Sequence, residues 1–439
     1  MEKVKENKDI VSKVLFWSMI GMIVLFCATC FIPFLNDNKI FSDFAETLSY
    51  CISQNPYTGV DGIHAIYPPF AFLPFYLFAL ICKAPLQNYL EGSLTLTELV
   101  KEPTYIVSFL LFFAICLALI LFLTAKISKF KGKKLVYLLV TVALFAPIFY
   151  SFCRGNNIVF AVIFAMLFFW LYNSEKRWQR EIANLCLACA IAVKIYPIII
   201  VIFFIKDRRF LDLLKTLVYA LVLLFLPFLL IQGGFYNISH IWNNFTGFNS
   251  STERAVSWTN ISINALFSKL SYLSIPASFI SILSSIVKYS MIIMSIIALA
   301  LSKKSKQMMQ CVLISLLTYA LFMDVSYAYT LTFLIIPLTM YFANFNDLSK
   351  LNKIYYGVCF AVIACPISAS TYVLIFSSLA GICLIVKAYI DLISEFVKSR
   401  KPKLPNAVQE VFVDEEETKK LESQPKEKPA TNGANHKNA

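Results

Sequence analysis

Long unbroken runs of apolar residues constrain this chain more than any other feature. Leu15–Phe34, Pro103–Leu123, Leu135–Tyr150, Ile158–Tyr172, Leu213–Ile231, Ile275–Leu301 and Tyr327–Phe342 are the clearest. Several approach the roughly 20 residues a helix needs to cross hydrocarbon. None alternates apolar and polar residues as a lipid-facing barrel strand does. Charged residues make up only 15% of the 439 positions, against about 25% in a soluble domain. The expected fold is therefore an all-α polytopic membrane protein, a bundle of roughly 10 to 13 transmembrane helices with broken or re-entrant segments. Leu15–Phe34 is too long for the apolar core of a cleavable signal and reads as an anchor.

The net charge of +13 does not mark a nucleic-acid binder, because the basic residues sit in short clusters beside the apolar blocks. That is an orientation signal. Lys3, Lys5, Lys8 and Lys13 place the N-terminus in the cytoplasm. Clusters at 126–134, 176–180, 206–209, 303–306, 350–353 and 398–403 are placed on the same side. The loops 35–66, 151–157, 232–271, 323–326 and 366–370 then lie outside. Residues 1–394 form the membrane domain, with 35–66 as its first external loop. Residues 395–439, rich in Lys, Glu, Pro and Asn toward the end, form a disordered cytoplasmic tail.

Two segments strain a simple count of crossings. One apolar stretch between Arg180 and Lys206 has basic residues on both flanks. A pair of half-helices meeting near Lys194–Pro197 keeps both flanks on one side, and Pro197 supports a break. Tyr67–Gln87 either turns back in the same way or is followed by a further crossing within Tyr89–Val100.

Polar motifs concentrate in the expected external loops. Phe41-Ser42-Asp43-Phe44 puts a carboxylate just past the first apolar block, where it can accept a proton from a hydroxyl or simply face water. Asn55-Pro56-Tyr57 and Tyr67-Pro68-Pro69 follow. Arg154-Gly155-Asn156-Asn157 joins two apolar blocks in a tight turn that glycine permits. Its arginine and amides suit a phosphate or a sugar hydroxyl. In Lys194-Ile195-Tyr196-Pro197 a lysine sits inside an apolar run. That costs about 2.5–3.5 kcal/mol on insertion scales and points to function, unless the side chain snorkels. The 232–271 loop adds Trp242, Arg254, Trp258 and Asn260-Ile261-Ser262. Cys27/Cys30 and Cys186/Cys189 have CxxC spacing but lie in apolar helices and read as packing residues. With three histidines, a histidine-rich metal site is not expected. Lys288 lies inside an apolar block with no motif around it.

In order and spacing these motifs resemble glycosyltransferase family 87. Those polyprenyl-phosphate-sugar-dependent transferases have the multi-spanning GT-C fold and include mycobacterial phosphatidylinositol-mannoside mannosyltransferases. The resemblance is carried by the Asp43 loop, Asn55-Pro56-Tyr57 leading to Tyr67-Pro68-Pro69, Arg154-Gly155-Asn156, and Lys194-x-Tyr196-Pro197 followed by Lys206 to Arg209. Asn260-x-Ser262 and the 324–329 region extend it. A departure falls at 323–329, where many members carry Ser-Pro-x-x-Trp-x-His. This chain has Met-Asp-Val-Ser-Tyr-Ala-Tyr and no histidine.

The resemblance implies an integral plasma-membrane hexosyltransferase. It would move a sugar such as mannose from a polyprenyl phosphate to a lipid or glycan acceptor on the outer face. Asp43 would be the catalytic base. Lys194, Arg154 and Arg254 would hold the donor phosphate, and no metal or other cofactor is needed if they do so. Asn55, Tyr57, Tyr67, Asn156, Tyr196, Asn260, Tyr327 and Tyr329 would contact substrate. The alternatives are a flippase for a lipid-linked glycan, which the one-sided placement of polar motifs disfavours, and an O-antigen-type polymerase, expected to carry more external arginine.

Overall fold

A computed structural model describes residues 42–58, 65–249, 260–302, 307–323, 325–364 and 371–400. The chain divides into two units, Met1–Ile393 and Ser394–Ala439, and the residues that build the site belong to the first. The described residues are α-helical with short 3₁₀ segments. The extended pairing among them is one isolated antiparallel bridge, Asn260 to Tyr327. The protein is an all-α polytopic membrane protein.

Helices longer than eight residues are α1 (Ser42–Ile52), α2 (Pro103–Ser128), α3 (Gly132–Ala143), α4 (Ala146–Arg154), α5 (Ile158–Leu171), α6 (Arg177–Val193), α7 (Phe210–Phe225), α8 (Asn237–Asn249), α9 (Ala277–Leu301), α10 (Met308–Phe322), α11 (Ile335–Ala343), α12 (Lys350–Ala364) and α13 (Thr371–Arg400). Four stretches among the described residues are long and apolar enough to cross a membrane unaided: α2, Phe210–Leu230, α9 and Ile375–Ser399. Two bent pairs bring this to six, and four shorter apolar helices accompany them. The anchor read at Leu15–Phe34 lies outside the described residues.

Sequence explains the sorting of these helices. α2 starts on Pro103, whose missing N–H costs nothing in a first turn, and its 26 residues reach about 39 Å. Tyr105, Ser108, Phe112, Cys116 and Ile120 recur every three or four residues and are buried, while Ile106, Leu110, Ile115 and Leu119 are exposed. One stripe faces protein and the other suits lipid. α5 is apolar all round and is buried on nearly every side, packed against α2 and α6. Where α9, α10 and α13 meet, the Ser295 hydroxyl is within hydrogen-bonding distance of Thr318 and Tyr389, the kind of polar glue that joins helices in lipid.

Both strained segments are broken. Pro69–Ile81 and Lys83–Leu90 bend by 108° at Cys82. Between Glu91 and Lys101 there is a turn and the single-turn helix Leu96–Leu99. No helix long enough for a further crossing lies within Tyr89–Val100, and the bend at Cys82 is that of a broken span or a re-entrant segment. α6 stops at Lys194, whose backbone is extended (φ −142°, ψ 125°). The chain resumes as a 3₁₀ segment from Tyr196 and a helical turn to Lys206.

The returning end of this segment lies beside its beginning. Tyr172, just ahead of α6, donates its hydroxyl to the Phe203 carbonyl at 3.0 Å and to Asp207 at 2.8 Å. Arg209 donates to the Tyr172 carbonyl (2.8 Å) and to Asp212 (2.7 Å). Asn184 donates to Asp212 at 3.1 Å, and Lys215 pairs with Glu181. The expected break near Lys194–Pro197 is present, with the basic flanks clamped together and Lys194 at the far end.

A third break was not legible as one. The block Leu135–Tyr150, read as continuous, is α3 and α4, bent by 48°. Pro147 in the first turn of α4 has no N–H to offer the Ala143 carbonyl, so the helix cannot run through.

Candidate active site

The site forms where the N-terminus of α1 meets the C-terminus of α4. α1 buries Phe44, Ala45 and Leu48. The Phe44 ring lies within 5.1–6.0 Å of Phe75, Tyr105, Phe109 and Phe112, centroid to centroid. That aromatic nest fixes the rotation of α1, so Asp43 in its first turn faces the 154–157 turn. An acid at a helix N-terminus and an arginine at a helix C-terminus each complement the local helix dipole.

Gly155 makes this approach possible. Its φ of +65° closes α4, and its N–H bonds to the Phe152 carbonyl at 2.8 Å. A Cβ on Gly155 would stand 2.3 Å from the Phe44 Cβ. No other residue allows both this backbone and this contact.

Asp43 is held by two groups from that turn. The Arg154 fork binds it bidentately, Nε to Oδ2 at 2.8 Å and Nη2 to Oδ1 at 2.5 Å. Asn156 donates Nδ2 to Oδ2 at 2.7 Å, while its own Oδ1 accepts the Ile158 N–H at 3.0 Å. The Ile158 bond fixes which way the amide points. The Asp43 and Arg154 side chains are 16% and 29% exposed, so the pair opens partly to solvent.

Beside this pair the tip of the hairpin delivers Lys194, only 6% exposed. Its ammonium donates to the Tyr67 hydroxyl at 3.0 Å and lies 4.1 Å from the Tyr67 ring centroid and 5.4 Å from that of Tyr329. Among the described residues no carboxylate lies within ion-pairing distance of it. Lys194 lies in the connector outside both arms. Burial pushes its ammonium down to about 7, opposed by the nearby Asp43 charge and reinforced by Arg154. Tyr329 stacks on Tyr150 (6.4 Å, 17°) and also meets Tyr327 (5.6 Å). Asp43, Arg154, Lys194, Tyr67 and Tyr329 thus form one neighbourhood.

Other expected residues stand around it as braces. Asn55 accepts the Tyr57 N–H at 2.9 Å and donates to Asn237 at 2.9 Å. The Tyr57 hydroxyl donates to the Tyr67 carbonyl at 3.0 Å. From α8, Asn244 donates to the carbonyls of Tyr57 and Ala65. This framework holds Tyr67. The Asn260 side-chain oxygen accepts the N–H groups of Ser262 and Ser326, both at 3.0 Å, and so pins the strand-like segment leading to Tyr327 and Tyr329. Tyr196 stacks on Tyr319 at 4.0 Å, fixing the start of the return arm. Arg254, Trp258 and Asp324 lie outside the described residues, as does the Cys27/Cys30 pair. Cys186 and Cys189 are free thiols.

Tyr150 and Tyr319 were not singled out from the sequence. Tyr150 lies one helical turn before Arg154 and so shares its face, a signal the sequence does contain. Tyr319 had none, because its partner lies far away in the chain.

These features define the class: a polytopic membrane protein with a semi-buried acid-base cluster at the ends of its helices. The sequence matches the model of glycosyltransferase family 87 over residues 65–337. The chain belongs to this family and is a membrane glycosyltransferase. The match begins after α1, so Asp43 lies ahead of it. A search of curated proteins returned no match.

Proposed function

We propose that this enzyme transfers a sugar, a hexose such as mannose, from a polyprenyl phosphate to a lipid or glycan acceptor at the outer face of the plasma membrane. The observation that carries the reading is the make-up of the semi-buried cluster: Asp43 is paired with Arg154 and feels the charge of Lys194, two cations from different elements. Transfer from a lipid phosphate needs this combination. The acceptor hydroxyl loses a proton as its oxygen bonds to the sugar C1. The bond from C1 to the phosphate oxygen breaks, and the phosphate departs with the bonding electrons. Asp43 receives the proton, and Lys194 and Arg154 stabilise the departing anion, with Arg254 a further cation for the same role. The tyrosines at 67, 196, 327 and 329 provide faces suited to sugar rings.

The hairpin supports the outer-face assignment. Its clamped end carries Arg177, Arg180, Lys206, Arg208 and Arg209, which the positive-inside rule assigns to the cytoplasm. The 17 residues of α6 climb about 26 Å from there, which brings Lys194 near the opposite headgroup level. A nucleotide sugar is scarce on that side, whereas a polyprenyl phosphate arrives within the bilayer.

The test is Asp43→Asn, which keeps shape and removes the proton acceptor. Transfer from a synthetic polyprenyl-phosphate mannose should fall by about 10²–10⁴-fold while the protein still inserts. Near-normal turnover would sink the role of Asp43.

A further inference from the structure

Asp43 is held by two donors of different kinds. Asn156 is fixed by the Ile158 N–H at the start of α5, and a neutral amide gains little by leaving. Arg154 is a charged fork at a helix end, 29% exposed, whose geometry fits a phosphate as well as a carboxylate. Between them they fill three of the roughly four acceptor positions a carboxylate offers: both on Oδ2 and one on Oδ1. An acid engaged in this way has little room for an acceptor hydroxyl. The second cation, Lys194, rests on tyrosines and has no carboxylate within ion-pairing distance among the described residues, so an entering phosphate meets one cation held by tyrosine and one that is already engaged.

We propose that Arg154 is an exchangeable counter-ion, passing from Asp43 to the donor phosphate when the donor binds, while Asn156 stays and positions the freed carboxylate. The exchange rests on the reading of the donor as a lipid phosphate and adds an order of events to it. The donor enters against Lys194, Arg154 swings from carboxylate to phosphate, and Oδ1 and one position on Oδ2 open toward the acceptor hydroxyl. As the phosphate takes over Arg154, Asp43 loses its counter-ion and becomes the stronger proton acceptor. Asp43 is thus kept from acting until the phosphate is in place, which suppresses wasteful activation of water.

Isothermal titration of a synthetic polyprenyl monophosphate into the full-length protein in nanodiscs tests the exchange. If Arg154 must leave Asp43 to bind phosphate, Asp43→Asn removes the competitor and tightens binding about tenfold. Asp43→Ser supplies the same comparison if Asp43→Asn does not insert. Arg154→Gln weakens binding by a similar factor, and in the Arg154→Gln background Asp43→Asn brings no gain. Asn156→Ala lowers kcat about tenfold and leaves donor KM within about twofold, because it acts on the positioned carboxylate alone. Unchanged or weaker binding by Asp43→Asn and Asp43→Ser overturns the exchange, as does an equal gain in the Arg154→Gln background, which long-range charge alone would produce. A wild-type protein that does not bind the probe overturns the donor reading itself, and the exchange with it.

Discussion

Lys194 has two tyrosine rings and a tyrosine hydroxyl around its ammonium where a buried lysine would ordinarily have an acid. Burial lowers its pKa to about 7 in the free protein, and a phosphate beside it would raise it. Phosphate binding therefore takes up a proton above that value. Affinity should be flat below about pH 7 and fall by up to about tenfold per unit as pH rises through and above it, until the bound-state value is reached. Titrating a polyprenyl phosphodiester, whose single charge is constant from about pH 6 to about pH 9, measures this, and Lys194→Arg, which stays charged, should flatten the curve. A flat wild-type profile would mean that Lys194 does not bear on the phosphate. The lysine itself was legible in the sequence, because a charge inside an apolar run is costly enough to demand a reason. Its surroundings were not. Tyr67 and Tyr329 are two of 22 tyrosines, and only long-range packing brings them to the lysine. The same holds for the grip of Arg154 on Asp43, two residues 111 positions apart, each of which was legible alone.

Helix breaks, more than helix runs, build this site. The hairpin arms of 177–206 were readable because proline and doubly basic flanks are both local signals. The clamp of Tyr172, Asp207, Arg209 and Asp212 that closes it is not local and was missed. The 154–157 turn carries the greatest strain of fit, since α1 approaches Gly155 to within a side-chain contact. A methyl group there meets two penalties, a left-handed backbone costing about 1–2 kcal/mol for a non-glycine residue and a collision that must displace α1. Gly155→Ala should therefore lower stability by about 2 kcal/mol or more and reduce transfer severely, because Asp43 moves with α1. Thermal unfolding in detergent and a turnover assay measure the two effects. A variant with normal melting and normal turnover would show that the α1–α4 junction has room to spare.

At the scale of the whole molecule, apolar composition fixed the class of fold, and the breaks decide where chemistry can occur. Irregular backbone within a membrane protein must be buried or line a cavity. Here the ends of α1 and α4, the hairpin tip and the 325–329 segment pinned by Asn260 converge around Asp43, Arg154 and Lys194. What the sequence left open is the register between these pieces, because lipid-facing and core-facing apolar residues look alike in composition. The central claim is that the sugar arrives on a lipid phosphate. Purified protein in nanodiscs, offered radiolabelled mannose either as a synthetic polyprenyl-phosphate mannose or as the matching nucleotide sugar together with an extract of envelope lipids, tests it most directly. Label should pass to an acceptor from the lipid donor alone, and Lys194→Met should raise the donor concentration required. Turnover from the nucleotide sugar, with no lipid-linked intermediate formed, would contradict the claim.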